Sequence, residues 1–558
     1  MVLFLRFRLF ACFLLVGLSL PFGAVMGQTA GYFVQFSDKE GSPYHLDNPL
    51  EFLSQRAIDR RAAQGIFLDD TDLPVSPAYV QNLEDLGVKV LMATKWFNGV
   101  IAVSDDSELM NGLEALPYIN FVEKTYVGDG WSLSSGDNFS QKKLYPEVDA
   151  VESKEVLKST AAMNTDRQIE MVKGDFLHDL GFKGNGIHIA VLDAGFKGVE
   201  TSQVFGHLQT DGLLLGERNF VLNDPEPFYN THIHGAQVLG VMTGQVPDEY
   251  AGTATEASYW LMRTEDARSE YPIEADYWVC AAEMADSAGV DIIQSSVGYF
   301  TFDDPAMDYT LEIPGGITRI SRAAAFASQK GMVVVNSAGN ERQSEWEYVV
   351  MPNDVPEVLT VGAVKADGTL ADFSSRGFVA DGWVKPDVMA LGVGTSVITN
   401  DVIGVSVGTS FAAPIISGLT ACLWQSMPEK TAAEIVDLVR SSADRYLNPD
   451  EDFGYGIPDF ERAFQLSVGS QNIDLLDNWL VTPNPFISAF EIFQDDFEGA
   501  LSVELINLHG QVVWQEEVIF QHHQRITPGI ALQPGVYVLR LKDGSFSYST
   551  KVVRSLGQ

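Results

Sequence analysis

Four residues in the middle of the chain have side chains that could together carry out nucleophilic catalysis. Asp193 ends the apolar run IHIAVLDAG, and His234 opens the helix-like run HGAQVLG. Asn340 comes shortly after an apolar run, at the end of the stretch MVVVNSAGN. Ser410 lies in the stretch GTSFAAPIISG, after a glycine that permits a sharp turn. An acid, a base, a hydroxyl nucleophile and an amide donor are the groups that acyl transfer through a tetrahedral intermediate requires.

Each of these residues taken alone also has an ordinary structural explanation. Ser410 or Thr409 could cap a buried helix, and Asp193 could cap another, because short polar side chains are the preferred helix caps. A lone histidine is more often structural than catalytic, and His232 is a second candidate for the base. The glycine that follows His234 favours that residue over His232.

The elements that must position these residues are apolar runs that alternate with helical patterns from about residue 165 to residue 470. Apolar runs without strict alternation are typical of parallel strands that are covered on both faces. In open sheets of this kind, chemistry collects beyond the carboxyl ends of the strands, which is where Asp193 and Asn340 lie. The predicted strands are Ile187–Leu192, Tyr259–Arg263, Asp291–Ser295, Met332–Asn336 and Val358–Val364.

Residues 165–470 resemble the subtilisin-like serine endopeptidases, the subtilases of peptidase family S8. The resemblance rests on the order Asp, His, Ser and on the motifs IAVLDAG, HGAQVLG, SSVG, NSAGNE, FSSRG with KPDVMALG, and GTSFAAP. It implies an α/β fold class with a subtilisin-like parallel sheet and helices on both faces. Protein or peptide substrates and no cofactor for catalysis are also implied, whereas calcium sites stay open because many carboxylates permit them without specifying them.

The same resemblance implies a role for each candidate residue. Ser410 is the expected nucleophile, His234 the general base and then acid, and Asp193 the anion that orients the histidine. Asn340 is the expected oxyanion-hole side chain, beside the backbone N–H of Ser410. All four residue types are present, which favours an enzyme over the alternative, a catalytically silent subtilase relative that acts as a surface binding or adhesion protein.

A second set of residues carries less specific implications. The segment Ser296, Val297 and Gly298 resembles the edge with which subtilases pair the substrate backbone. The chain departs from the family's usual residues at four other positions: Ala194, Ala236, Gln237 and Ile415. None of these departures removes a proton-transfer or oxyanion group, so they bear on rate and geometry rather than on the reaction.

The flanking segments differ in composition from the central one. Residues 1–27 have the basic start, apolar core and small-residue end of a signal peptide. Residues 28–127 combine short strands with helix-like runs and are similar to the family's inhibitory prodomains, with an accessory domain as the alternative. Residues 128–164 lose periodicity and turn polar, which predicts a linker.

The last segment, residues 475–558, consists of strand and turn patterns that predict a β-sandwich. Through PNPF, INLHGQVV and LQPGVYVLRL it resembles the C-terminal sorting domain of the type IX secretion system, which implies that this secretion machinery is a partner. The alternative is a carbohydrate- or surface-binding β module. The protein is therefore expected to be secreted or at the cell surface, by way of the periplasm.

Charge and cysteine content exclude several other classes of protein. The net charge of −39 argues against nucleic-acid and anionic-membrane partners, which need basic patches. No segment after the signal peptide has the ~20 apolar residues of a transmembrane helix. Cys280 and Cys422 lie in apolar, helix-like stretches and are expected to be buried thiols rather than a disulfide.

Overall fold

The computed structural model describes residues 29–128, 165–468 and 479–554. Short gaps within these ranges fall at 223, 225, 311–314, 381–382, 483–485, 487, 508–510, 530–531, 534 and 544–546. The predicted signal peptide and residues 129–164 of the predicted linker lie outside the described residues.

The N-terminal domain is an α+β module built on a four-stranded antiparallel sheet with the order β2-β3-β1-β4. Its elements are β1 (Ala30–Phe36), α1 (Gln55–Ala63), α2 (Pro77–Asp85), β2 (Lys89–Thr94), β3 (Gly99–Ser104), α3 (Ser107–Gly112) and β4 (Ile119–Val127). Successive side chains of a strand point to opposite faces. Val34 therefore packs into the domain's own core, whereas its neighbour Phe33 belongs to a core shared with the central domain.

The central domain contains a parallel sheet of seven strands in the order β15-β12-β11-β10-β5-β9-β6. Three antiparallel two-stranded ribbons, β7-β8, β13-β14 and β16-β17, accompany it. The strands are β5 (His188–Asp193), β6 (Leu214–Asn219), β7 (Gln245–Val246), β8 (Tyr250–Ala251), β9 (Ser258–Arg263), β10 (Ile292–Ser295), β11 (Val333–Ser337), β12 (Leu359–Val364), β13 (Val379–Ala380), β14 (Trp383–Val384), β15 (Val388–Leu391), β16 (Val393–Thr399) and β17 (Val402–Val407).

Helices cover both faces of this sheet, as the fold class predicts. They are α4 (Asp166–Glu170), α5 (Asp175–Asp179), α6 (Gly206–Thr210), α7 (His234–Thr243), α8 (Pro272–Ala288), α9 (Arg319–Gln329), α10 (Thr409–Ser426), α11 (Ala432–Ser442) and α12 (Phe460–Val468). Side chains of α7, α10, α11 and α12 share one core with the sheet, and side chains of α8 and α9 share the other. The sheet of the N-terminal domain packs over α8 and α9 from outside.

Five strands of the parallel sheet match the predicted ones to within one residue at each end, but β6 and β15 were not predicted as strands. The reason is clearest for β6, which lies at the edge of the sheet. Its second half, Glu217 to Asn219, is polar and partly exposed, so it lacks the apolar run of a central strand.

The C-terminal region is strand-rich, as predicted, with five strands: β18 (Leu480–Thr482), β19 (Phe490–Ile506), β20 (Val512–Ile526), β21 (Gly535–Lys542) and β22 (Ser547–Arg554). The predicted arrangement was a β-sandwich. Among the described residues the five strands form one hydrogen-bonded set, which fits the strand-rich part of that prediction. The long strand β19 explains this, because its first part pairs with β18, its last part pairs with β21, and β20 pairs along both.

Two further expectations can be compared with the structure. Among the described residues, no helix is both long and apolar enough to span a bilayer. Cys280 and Cys422 are both buried and free, as predicted.

Candidate active site

The first two candidate residues form a buried hydrogen-bonded pair. Asp193 is the last residue of β5, and His234 is the first residue of α7. His234 Nδ1 lies 2.8 Å from Asp193 Oδ1, and His234 and Asp193 are 5% and 0% exposed. A buried carboxylate on one ring nitrogen orients the imidazole and leaves the other nitrogen for proton transfer.

The glycine after His234 has a packing reason. A side chain at Gly235 would place its Cβ 2.5 Å from the carbonyl oxygen of Gly195 and 2.9 Å from Cβ of Asp193. Only glycine therefore lets α7 begin directly against the carboxylate that holds the histidine.

The other histidine lies nearby in a different position. Nδ1 of His232 accepts the backbone N–H of His234 at 3.2 Å, and the two rings are 6.3 Å apart between centroids. His232 thus contacts the first turn of α7, while His234 contacts the carboxylate.

The two carboxylate oxygens of Asp193 differ in their hydrogen bonds, next to Ala194, one of the departures from the family pattern. Oδ1 accepts the N–H of Ala194 at 2.7 Å as well as the histidine bond, whereas Oδ2 is buried and has no hydrogen-bond partner among the described residues. A hydroxyl at position 194, where the family usually has Ser or Thr, would be a donor next to this carboxylate.

Ser410 is the second residue of the 18-residue helix α10, so its side chain lies at the positive end of a long helix. The expectation that Thr409 or Ser410 caps this helix is wrong. The N-cap is Gly408, with φ of +146° and no side-chain capping bond. Ser410 is 8% exposed, and its Oγ donates to the carbonyl oxygen of Ser296 at 3.4 Å.

Pro414 lies inside α10 and changes the bonding of the nucleophile's backbone. Proline has no N–H, so the carbonyl four residues earlier, that of Ser410, loses its helical partner. The hydroxyl of Ser296 donates to this carbonyl at 2.9 Å and replaces the missing bond. Ser296 and Ser410 are therefore joined by two reciprocal hydrogen bonds.

Asn340 is oriented by Thr409, a residue whose part in the site the sequence did not reveal. The backbone N–H and the hydroxyl of Thr409 donate to Asn340 Oδ1 at 3.0 and 3.1 Å. Because Oδ1 accepts both donors, the NH₂ group of Asn340 is the half available to a developing oxyanion. Sequence could have suggested this role only by the position of Thr409 beside the serine.

One pocket, here called the Ser410 pocket, is lined by both Ser410 and Asn340, whereas Asp193 and His234 do not line it. The segments Ser296–Gly298 and Gly339–Glu341 both line it, and Ser410, Glu265 and Glu270 also contribute. Gly298 leaves room for this shape, because a Cβ there would lie 2.2 Å from Cγ2 of Val350. Burial raises the pKa of the Glu341 carboxyl, and a hydrogen bond with Ser344 partly opposes this rise.

Comparison with known sequences identifies the family. The subtilase family (Peptidase S8) matches residues 184–456, which include Asp193, His234, Asn340 and Ser410. Residues 184–456 are therefore a subtilase domain. Residues 31–140 match the Peptidase S8 propeptide domain of Bacteroidota, and residues 480–555 match the secretion system C-terminal sorting domain.

Several proteins of known sequence or structure are similar to parts of this chain. The subtilase is 28% identical over 300 residues to subtilisin E of Bacillus subtilis (strain 168), which covers 53% of this chain and 70% of that protein. It is 27% identical over 300 residues to the subtilisin of Bacillus pumilus, and this match covers 53% of this chain and 98% of that protein. Among solved structures, MycP1 from Mycobacterium smegmatis covers 56% of this chain and 87% of its own, with 19% identity and a TM-score of 0.42.

These matches establish the type of enzyme and its destination. The subtilase is a serine-type endopeptidase with a propeptide domain, and the silent-relative alternative is not favoured. The sorting domain implies secretion and attachment at the cell surface. The predicted domain boundaries and the role of each site residue stay predictions.

Proposed function

We propose that the subtilase cleaves peptide bonds with Ser410 as nucleophile, His234 as general base and acid, and Asp193 as the anion that orients the histidine. The observation that carries this proposal is the 2.8 Å contact between His234 Nδ1 and Asp193 Oδ1 at the end of the sheet. Its surroundings support it, because Ser410 lies at the start of a buried helix and lines one pocket with Asn340.

The proposed reaction begins when a peptide carbonyl enters the Ser410 pocket. Ser410 Oγ gives up its hydrogen bond to the Ser296 carbonyl, passes its proton to His234 and attacks the carbonyl carbon. The NH₂ of Asn340 and the N–H of Ser410 stabilise the oxyanion. His234 then protonates the leaving amine, and water hydrolyses the acyl-enzyme.

Further assignments belong to the same proposal. Ser296, Val297 and Gly298 bind the substrate backbone along one side of the pocket. The reaction needs no cofactor, because side chains and backbone N–H groups supply every step. The N-terminal domain acts as an inhibitor until it is removed, and the C-terminal domain binds the type IX secretion machinery, with no nucleic-acid partner.

Labelling with a fluorophosphonate probe tests the catalytic assignment, because such probes react only with an activated serine. The processed enzyme should be labelled, and both Ser410→Ala and His234→Ala should abolish labelling. His232→Ala is the matched control and should keep detectable labelling, since Nδ1 of His232 accepts the backbone N–H of His234, whereas Nδ1 of His234 contacts Asp193.

Two outcomes would contradict the assignment. Labelling that persists in Ser410→Ala would place the nucleophile elsewhere. Labelling lost in His232→Ala and kept in His234→Ala would show that His232 is the base.

A further inference from the structure

Three glutamates line the Ser410 pocket. Glu341 directly follows Asn340 in the chain and lines the pocket beside Ser410, although it is only 4% exposed. Glu265 and Glu270, from the loop between β9 and α8, line the same pocket. Three acidic residues thus line the pocket that Ser410 also lines.

Glu341 is the most informative of the three. A buried carboxylate is costly unless a cation or several donors compensate it. Among the residues that the structure describes, no Lys or Arg forms an ion pair with Glu341, whereas its neighbour Arg342 pairs with Asp452 at 2.6 Å. A hydrogen bond with Ser344 compensates the burial of this carboxylate only in part, so the acid is suited to a cation that arrives with the substrate.

The neighbouring acid Glu274 serves a different purpose. Its carboxylate lies close to those of Glu265 and Glu270. Both of its oxygens, however, accept backbone N–H groups, from Asp266 at 2.7 Å and from Tyr271 at 3.0 Å, so Glu274 fixes the start of α8. It does not line the Ser410 pocket and is therefore not part of the site.

We infer that the Ser410 pocket selects substrates with a lysine or arginine side chain at the residue whose carbonyl carbon Ser410 attacks, with Glu341 as the main specificity residue. This inference rests on the proposed function, because it places that carbonyl between Ser410 and Asn340. Glu341 lines the same pocket as Ser410 and Asn340, so a side chain that enters this pocket from the attacked residue comes close to its carboxylate.

Glu265 and Glu270 add negative charge to the same pocket. Glu265 is held in place because its Oε1 accepts the hydroxyl of Tyr299 at 2.5 Å. The whole chain adds to this effect, since a net charge of −39 attracts cationic peptides toward an acidic pocket.

The first test uses the processed wild-type enzyme and peptides that differ only at the residue before the cleaved bond. Peptides with Lys or Arg there should have kcat/KM about tenfold or more above matched peptides with Leu, Gln or Glu. Equal cleavage of the Leu and Lys peptides would overturn the inference while fluorophosphonate labelling left the proposed function intact. If the probe did not label the wild-type enzyme, the result would instead count against the proposed function itself.

Variants then assign the preference to Glu341. Glu341→Gln should lower the Lys-to-Leu ratio of kcat/KM about tenfold, and Glu341→Lys should shift the preference toward the Glu peptide. Glu345→Gln is the matched control, because Glu345 is exposed on the same loop and does not line the pocket. A ratio unchanged in Glu341→Gln, or lowered equally in Glu345→Gln, would overturn the assignment.

A metal ion is the competing explanation for the acidic side chains. Calorimetric titration of the wild-type enzyme with calcium chloride should show no saturable site that Glu270→Gln removes. If such a site is found and the Lys preference is absent, the carboxylates hold a cation and the inference fails.

Discussion

Thr409 and Asn340 illustrate how a neighbouring residue determines the chemistry of a functional one. An amide can present either its oxygen or its NH₂ to a ligand, and the two ends have opposite effects on an oxyanion. Because Thr409 donates twice to Asn340 Oδ1, the donor end is available in the pocket. The residue type at position 340 could be predicted from the sequence, but its orientation depends on a residue 69 positions away.

We expect Asn340→Ala to lower kcat by about two to three orders of magnitude, which is the known cost of removing one such donor from subtilisin. KM should change little, because the lost bond forms mainly in the transition state. Steady-state kinetics on a peptide substrate measures both values. Asn448→Ala, at an exposed position, is the control and should leave both unchanged.

At the scale of elements, α10 depends on a hydrogen bond from another part of the chain. Pro414 removes the helical partner of the Ser410 carbonyl, and the Ser296 hydroxyl replaces it. A buried carbonyl without a partner costs about 1–3 kcal/mol. The proline inside α10 is therefore compensated by the segment that follows β10.

A double-mutant cycle tests this compensation in the inactive Ser410→Ala background, which prevents self-digestion. Ser296→Ala should lower the free energy of unfolding by about 1–3 kcal/mol. Adding Pro414→Ala should recover part of that loss, because an alanine in place of the proline supplies a backbone N–H to the same carbonyl. Thermal unfolding measures the effect, and strictly additive losses would contradict the proposed link.

At the scale of the whole molecule, the N-terminal domain is joined to the catalytic domain by a buried charge cluster around Asp286 of α8. The side chain of Asp286 is 0% exposed and contacts Arg60 at 2.7 Å, Arg61 at 2.8 Å and Lys95 at 3.0 Å. Burial alone would raise the pKa of Asp286, but Lys95, Arg61 and Arg60 together hold it well below its usual range.

The direction of this shift predicts how the contact responds to pH. A carboxyl whose pKa is lowered in the folded state contributes stability above its unfolded pKa of about 3.9, and that contribution is lost only as pH falls toward the folded pKa. The stabilisation by Asp286 should therefore be constant from about pH 8 to about pH 5 and weaken below about pH 4.

Calorimetry of the unprocessed Ser410→Ala chain and its Asp286→Asn variant measures this contribution. The variant should be less stable by about 3–5 kcal/mol, because three buried cations lose their shared partner. Asp437→Asn, whose side chain is 74% exposed, is the control and should change little. A difference that disappears between about pH 8 and about pH 5 would contradict the assignment.

Much of the architecture was determined by the sequence itself. The predicted strand Met332–Asn336 differs from β11 by one residue at each end, since buried parallel strands require continuous apolar runs. The candidate residues could also be found, because motif spacing and the glycines beside them are local. The edge strand β6 could not be predicted, since its sequence is partly polar.

Only the tertiary structure decided which groups contact one another across the fold. The bond from the Ser296 hydroxyl to the Ser410 carbonyl joins residues 114 positions apart, and the pair Arg61 and Asp286 joins residues 225 positions apart. Glu265 and Glu341 are likewise distant in the sequence and line one pocket only because of the tertiary structure. Periodicity encodes which face of an element is buried, whereas these contacts depend on where loops end and how domains pack, which no local pattern specifies.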